Sequence, residues 1–123
     1  MPIRGVRGAV TVKENSREQI LEATQKLLEE ILERNPEMEP PEIASAIFSV
    51  TEDLNAAFPA KAARIIGWNM VPLFGAKEIS APDGIQMCIR VLIHWNTELP
   101  QEDIEHVYLG EAKKLRPDLD KNK

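Results

Sequence analysis

Two arginines, Arg7 and Arg90, fall inside stretches of sequence that read as strands, where a guanidinium buried without a counter-charge costs several kcal/mol. Something anionic must meet them. On the residues alone two answers stay open: structural ion pairs with Glu78 or other carboxylates, or a pocket in which guanidiniums hold ligand carboxylates bidentately. Gly5, Gly8 and Gly75 would let backbone and ligand approach closely. Other chemistries lack their parts. Cys88 is the single cysteine, so there is no intrachain disulfide and no thiolate cluster, and His94 and His106 have no partner at metal-ligand spacing. The sequence holds no serine elbow between glycines, no ordered Cys/His set, no GxGxxG and no phosphate loop, so neither a metal nor a cofactor is expected. Taken singly, Cys88 reads as a buried packing residue and His94 and His106 as structural polar groups. Glu78 reads as a loop acid, Tyr108 as a core or interface residue, and Lys61 as a surface charge.

Composition narrows the partners. A length of 123 residues fits one domain, 1–123, with 43% apolar and 28% charged residues as in an ordinary globular protein. A net charge of −5 and aromatics that are not interleaved with basic residues argue against nucleic acid, so the ligand is expected to be small. If that ligand is anionic, the bulk charge must be overruled locally by arginines. No apolar run approaches the ~20 residues of a membrane span, and the N-terminus has no apolar segment of a secretory signal, so a cytoplasmic protein with no membrane partner is expected.

The elements that must position these residues follow from periodicity. Ile3 to Val12 is too glycine-rich for a helix and ends in β-branched residues, which predicts a strand with Ile3, Gly5, Arg7, Ala9 and Thr11 on one face. Ser16-Arg17-Glu18-Gln19 matches a capping box, and Ile20, Ala23, Thr24, Leu27, Leu28 and Ile31 follow at helical spacing, which predicts a helix from Arg17 to Arg34 stopped by Pro36. A strand is expected over Ser45 to Thr51, then a short helix beginning at Pro59, ending at Gly67 and carrying Lys61 and Arg64. Val71 to Phe74 reads as a short strand that Pro72 pushes toward an edge or a bulge, bent at Gly75. Met87 to Trp95 alternates most clearly, with Cys88, Arg90, Leu92 and His94 on one face. His106 to Leu109 is a last short strand, and 110–123 is expected to be a mobile charged tail.

The order of the residues carries a resemblance. Arg4-Gly5-Val6-Arg7-Gly8-Ala9 is followed by Thr51-Glu52-Asp53-Leu54, Phe58-Pro59-Ala60-Lys61-Ala62-Ala63-Arg64, Gly67-Trp68 and Val71-Pro72. Then come Glu78, Cys88-Ile89-Arg90-Val91, Pro100-Gln101, His106-Val107-Tyr108-Leu109 and Leu115-Arg116-Pro117-Asp118-Leu119. In this order and spacing, from Ile3 to Leu119, the chain resembles the AroH class of chorismate mutase, the small monofunctional type.

That resemblance implies an α/β (α+β) fold: a single domain whose mixed β-sheet is packed by helices and assembles as a homotrimeric pseudo-α/β barrel, with each active site between two subunits. It implies that Arg7, Glu78, Arg90, Tyr108, Leu115 and Arg116 face the cleft from one chain, and Phe58, Ala60, Lys61 and Arg64 from its neighbour. The implied activity is that of an isomerase converting chorismate to prephenate by a Claisen-type rearrangement, on the shikimate route to phenylalanine and tyrosine. In that scheme Arg7 and Arg90 grip substrate carboxylate, Arg90 also donates toward the ether oxygen, and Glu78 accepts from the ring hydroxyl. Tyr108 adds a donor, Arg64 and Arg116 enclose the dianion, and Phe58 and Ala60 supply apolar wall. Phe74 and Gly75 stand where relatives often carry small polar or thiol side chains, so any contact from Gly75 must come from its backbone. The competing expectations are a non-catalytic trimeric module that binds a carboxylate metabolite or a partner enzyme, and, more remotely, a nucleic-acid adaptor.

Overall fold

The computed structural model describes residues 1–115. Its elements run β1 (Ile3–Thr11), α1 (Arg17–Arg34), β2 (Ile43–Val50), α2 (Ala60–Ile65), β3 (Leu73–Lys77), β4 (Cys88–Asn96) and β5 (Val107–Leu109). Short 3-10 turns occupy Pro40–Glu42, Gln101–Asp103 and Gly110–Lys114. The strands form one mixed sheet in the order β3-β2-β4-β1-β5, in which β1 and β2 are antiparallel to β4, while β3 and β5 run parallel to their neighbours. Both parallel pairs lie at the edges.

Helix α1 has the bounds its periodicity predicts. Ser16 caps it by accepting from the Gln19 amide at 3.1 Å, and Ile20, Thr24, Leu27, Leu28 and Ile31 are its buried stripe. That stripe lies over one face of the sheet, built by Val6 and Val10 of β1, Ala46 and Phe48 of β2, and Ile89, Val91 and Ile93 of β4, all buried. Gly8 permits the close approach. A Cβ there would stand 2.7 Å from Ile31 Cδ1 and 3.2 Å from Leu27 Cδ1.

Two expectations are corrected. The third strand begins at Leu73 rather than Val71, because Pro72 has no amide to give the ladder and takes part only through its carbonyl, which accepts from Ala46 N at 2.9 Å. Gly75 does not bend it: Ala46 to Val50 pair with Leu73 to Lys77 without a break, Gly75 opposite Phe48. The irregularity in the sheet lies instead in β2 between Ile43 and Ser45. Of the edge or bulge that Pro72 suggests, the edge is observed. Pro59 precedes α2 at a φ of −58°, already helical, and Gly67 ends it in the left-handed region at a φ of +99°, which glycine alone adopts without strain.

Candidate active site

Among the described residues, no helix covers the other face of the sheet at its centre. Register places Arg7 opposite Leu92, Ala9 opposite Arg90, Ser49 opposite Arg90, Ile47 opposite Leu92 and Tyr108 beside Ala9. Because alternate residues share a face, all of these side chains emerge on the same side. They line a cavity of about 290 Å³ together with Glu78 and Leu115.

Each polar group is set by its backbone. Arg90 is mid-strand on β4, the central strand, so its Cα is held from both sides. The start of β4 is anchored as well. Asp53 accepts the Met87 amide with both carboxylate oxygens at 3.2 and 3.1 Å, and Thr51 Oγ1 accepts the Cys88 amide at 3.0 Å while donating to Asp53. This clamp holds Met87 at a φ of 54°, unusual for a side-chain-bearing residue. Glu78 extends the edge beyond β3 by donating its amide to Val50 O at 2.8 Å, which brings its carboxylate over the sheet. Arg7 is fixed through its own amide, which donates to His106 Nδ1 at 2.9 Å, so His106 is the structural polar residue that the sequence suggested. Beside it, Gln101 Oε1 accepts from Gly5 N at 2.9 Å, and its Nε2 donates to Gly5 O at 2.6 Å, satisfying β1 beyond the short β5.

The electrostatics favour an anion. Two guanidiniums face one carboxylate in the cavity wall, a local excess of positive charge in a chain of net charge −5. Glu78 accepts from the Ser49 hydroxyl, and the same oxygen, Oε2, stands 3.8 Å from Arg90 Nε. That is an ion pair, as one of the two open answers required, but a loose one. Arg90 Nε is buried with no hydrogen-bond partner among the described residues, a donor left without an acceptor. Beneath it Cys88 is fully buried with Ala9, Tyr108 and Ala112. Burial pushes the Cys88 thiol up from 9.0 to about 11, with the Arg90 guanidinium opposing the shift.

Of the residues singled out in the sequence, Arg7, Glu78, Arg90, Tyr108 and Leu115 come together in this cavity. Phe58, Ala60, Lys61, Arg64, Phe74 and Gly75 do not line it. Ala60 is buried at the start of α2, Lys61 and Arg64 point to solvent from that helix, and Phe58 is 80% exposed. Phe74 lies on β3 opposite Ile47, while Gly75 belongs to the opposite face with Phe48. Arg116 lies outside the described residues. Sequence reasoning missed Ser49, Ile47 and Leu92; counting period two outward from Arg90 and Arg7 through the strand pairing would have found them. Among the described residues no group of three or more His, Cys, Asp or Glu could hold a metal ion.

Known proteins share this chain's pattern. Residues 3–119 match the family model described as chorismate mutase type I. A chorismate mutase AroH of Thermus thermophilus is 52% identical over 118 residues, covering 96% of this chain and 97% of that protein. The AroH chorismate mutase of Bacillus subtilis (strain 168) is 45% identical over 120 residues, covering 97% and 94%. Among solved structures, a chorismate mutase from Clostridium thermocellum superposes with a TM-score of 0.86 at 48% identity, covering 89% of this chain and 97% of that one.

Proposed function

Because this chain belongs to the chorismate mutase type I family, we propose that the cavity lined by Arg7, Glu78, Arg90 and Tyr108 is where it isomerises chorismate to prephenate. The reaction is unimolecular: one carbon–oxygen bond breaks while one carbon–carbon bond forms, and no proton need move. The protein's work is to hold a compact conformer of a dianion and to stabilise charge that separates as the ether opens. The buried, unpartnered Nε–H of Arg90 is the observation that carries this reading, since a preorganised donor in a low-dielectric wall is what a developing oxyanion needs. Arg7 takes a carboxylate, Glu78 accepts from the ring hydroxyl and faces the ring as it becomes electron-poor, and Tyr108 adds a donor.

The cavity of one chain is only half a site for such a substrate. Two guanidiniums against one carboxylate leave a single net positive charge for two substrate carboxylates. Lys61 and Arg64, exposed on α2 behind the 80% exposed Phe58, are unused cations beside an uncovered aromatic. They complete the balance if α2 of a neighbouring protomer closes the cavity in a homotrimer, with Phe58 and Ala60 as its wall and Leu115 and Arg116 covering the mouth. The protein then acts in the cytoplasm on the route to phenylalanine and tyrosine.

The direct test follows loss of the chorismate diene absorbance with purified protein. Binding without turnover would support the non-catalytic carboxylate-binding module instead. Sharing of the site between protomers has its own test. Arg90→Ala and Arg64→Ala proteins, each inactive, are expected to regain part of the wild-type activity when their subunits are mixed, and no recovery would overturn the shared cleft. Since no proton is transferred, kcat is expected to be flat across neutral pH; a bell with two essential groups would point to acid–base chemistry.

A further inference from the structure

Ser49 takes part in an arrangement that packing does not explain. It sits on β2 directly opposite Arg90 of β4, and its hydroxyl donates to Glu78 Oε2, the very oxygen that faces Arg90 Nε. A guanidinium and a carboxylate free to meet close to about 2.7–2.9 Å and pair two-fold. Here they stand 3.8 Å apart, with Nε buried and unpartnered. Glu78 follows edge strand β3 and Arg90 lies on β4, so the two long side chains reach toward each other across β2, where Ser49 stands between them. What differs from an ordinary pair is that Oε2 is already engaged by Ser49.

We infer that Ser49 is a positioning residue: its hydroxyl holds Glu78 back from Arg90, so that the pair stays open and both groups remain available to the substrate. The inference rests on the mutase reading for its kinetic consequence but not for its structural one. A closed Arg90–Glu78 pair would spend the Nε–H that the ether oxygen requires and turn the carboxylate away from the ring hydroxyl. It would have to be opened before the dianion could enter, so its cost falls on binding rather than on the rearrangement itself. Losing a hydrogen bond to a charged group corresponds to about tenfold.

Two measurements test this. In a crystal of the unliganded Ser49→Ala protein, a Glu78 oxygen is expected within hydrogen-bond distance of Arg90 Nε; an unchanged separation overturns the inference. In kinetics with chorismate, Ser49→Ala is expected to raise KM about tenfold with little change in kcat, and Ser49→Thr, which keeps the hydroxyl, to restore the wild-type KM. In a Glu78→Gln background, where no ion pair can close, Ser49→Ala is expected to add almost nothing. An equal loss in both backgrounds, or a loss confined to kcat, overturns the role. If the wild-type protein leaves chorismate unchanged, the mutase reading fails, while the crystal comparison still decides what Ser49 does.

Discussion

The two faces of the sheet are made from the same strands yet do opposite work. Toward α1, Val6, Val10, Phe48, Ile89 and Ile93 are at most 7% exposed, and the fit is tight enough that Gly8 has no room for a Cβ. One residue along each strand, on the other face, stand Arg7, Ser49 and Arg90, with Ile47 and Leu92 more than a third exposed and a buried donor left unpaired. Period two thus lets a short chain keep a close-packed core and a charged, under-satisfied wall a few ångströms apart. Stability belongs to one face. The other can hold an arrangement that is costly in the free protein because the first supplies the rigidity that maintains it.

Substitutions on either face separate these roles. The largest effect is expected from Arg90→Ala, which removes the donor proposed to face the developing charge: kcat is expected to fall by ~10²–10³. Thermal stability is expected to hold or rise, since the change also removes a buried unsatisfied group. A near-wild-type rate would show that the open face is not catalytic in the way described. The mirror experiment is Leu27→Ala, which opens a cavity in the fully buried α1 stripe. Denaturant titration is expected to show a loss of about 3 kcal/mol, with kcat of the folded protein unchanged well below its new midpoint. A large fall in kcat there would mean that the faces are not independent.

Cys88 blurs the division, because register puts it on the open face while Ala9, Tyr108 and Ala112 bury it completely. Its thiol is held up to about 11 against 9.0, by burial first. Between those values the folded chain keeps a proton that the unfolded chain has released. Its stabilising effect is therefore fully present below pH 9 and is lost as pH rises through 11, by on the order of 2 kcal/mol. Unfolding midpoints measured from pH 8 to 11 are expected to fall less steeply in Cys88→Ala than in the wild type. Equal slopes would remove Cys88 as the cause.

What the sequence made legible divides along the same line. β1, α1 and β4 were readable because long periodic runs and a capping box are local signals, and α1 was foreseen residue for residue. Arg7, Glu78, Arg90, Tyr108 and Leu115 were named in advance and do share a cavity, but their order along the chain and the family resemblance pointed to them, not any local spacing. Ser49 was not foreseen, since a serine in a strand carries no signal until register sets it opposite Arg90 and beside Glu78. The start of β3 and the supposed bend at Gly75 were misread for a related reason: glycine and proline mark irregularity locally, whereas pairing with β2 decides where a strand begins. Phe58, Lys61 and Arg64 do not line the cavity, and the resemblance alone had joined them to it.

Gly8 offers the finest probe of the comparison, because it belongs to both faces. Its backbone lines the cavity between Arg7 and Ala9, while its missing side chain would point at Ile31 and Leu27. In Gly8→Ala the new methyl meets side-chain atoms rather than backbone, Ile31 Cδ1 at 2.7 Å and Leu27 Cδ1 and Val91 Cγ1 at 3.2 Å, and the closest contact, on α1, can be relieved by small rotations. The expected cost is about 1 kcal/mol, the low end of overpacking, seen as a melting temperature lower by roughly 4 °C. Whether the cavity notices depends on which layer moves. If α1 gives way, β1 stays in its ladder with β4, Arg7 keeps its place, and kcat/KM stays near the wild-type value. If instead β1 is pushed toward the open face, Arg7 moves against Arg90 and KM rises with the loss of stability. The ladder along all of β1 and the amide of Arg7 held by His106 make the helix the softer partner, so a lower melting temperature with unchanged kinetics is the expected result.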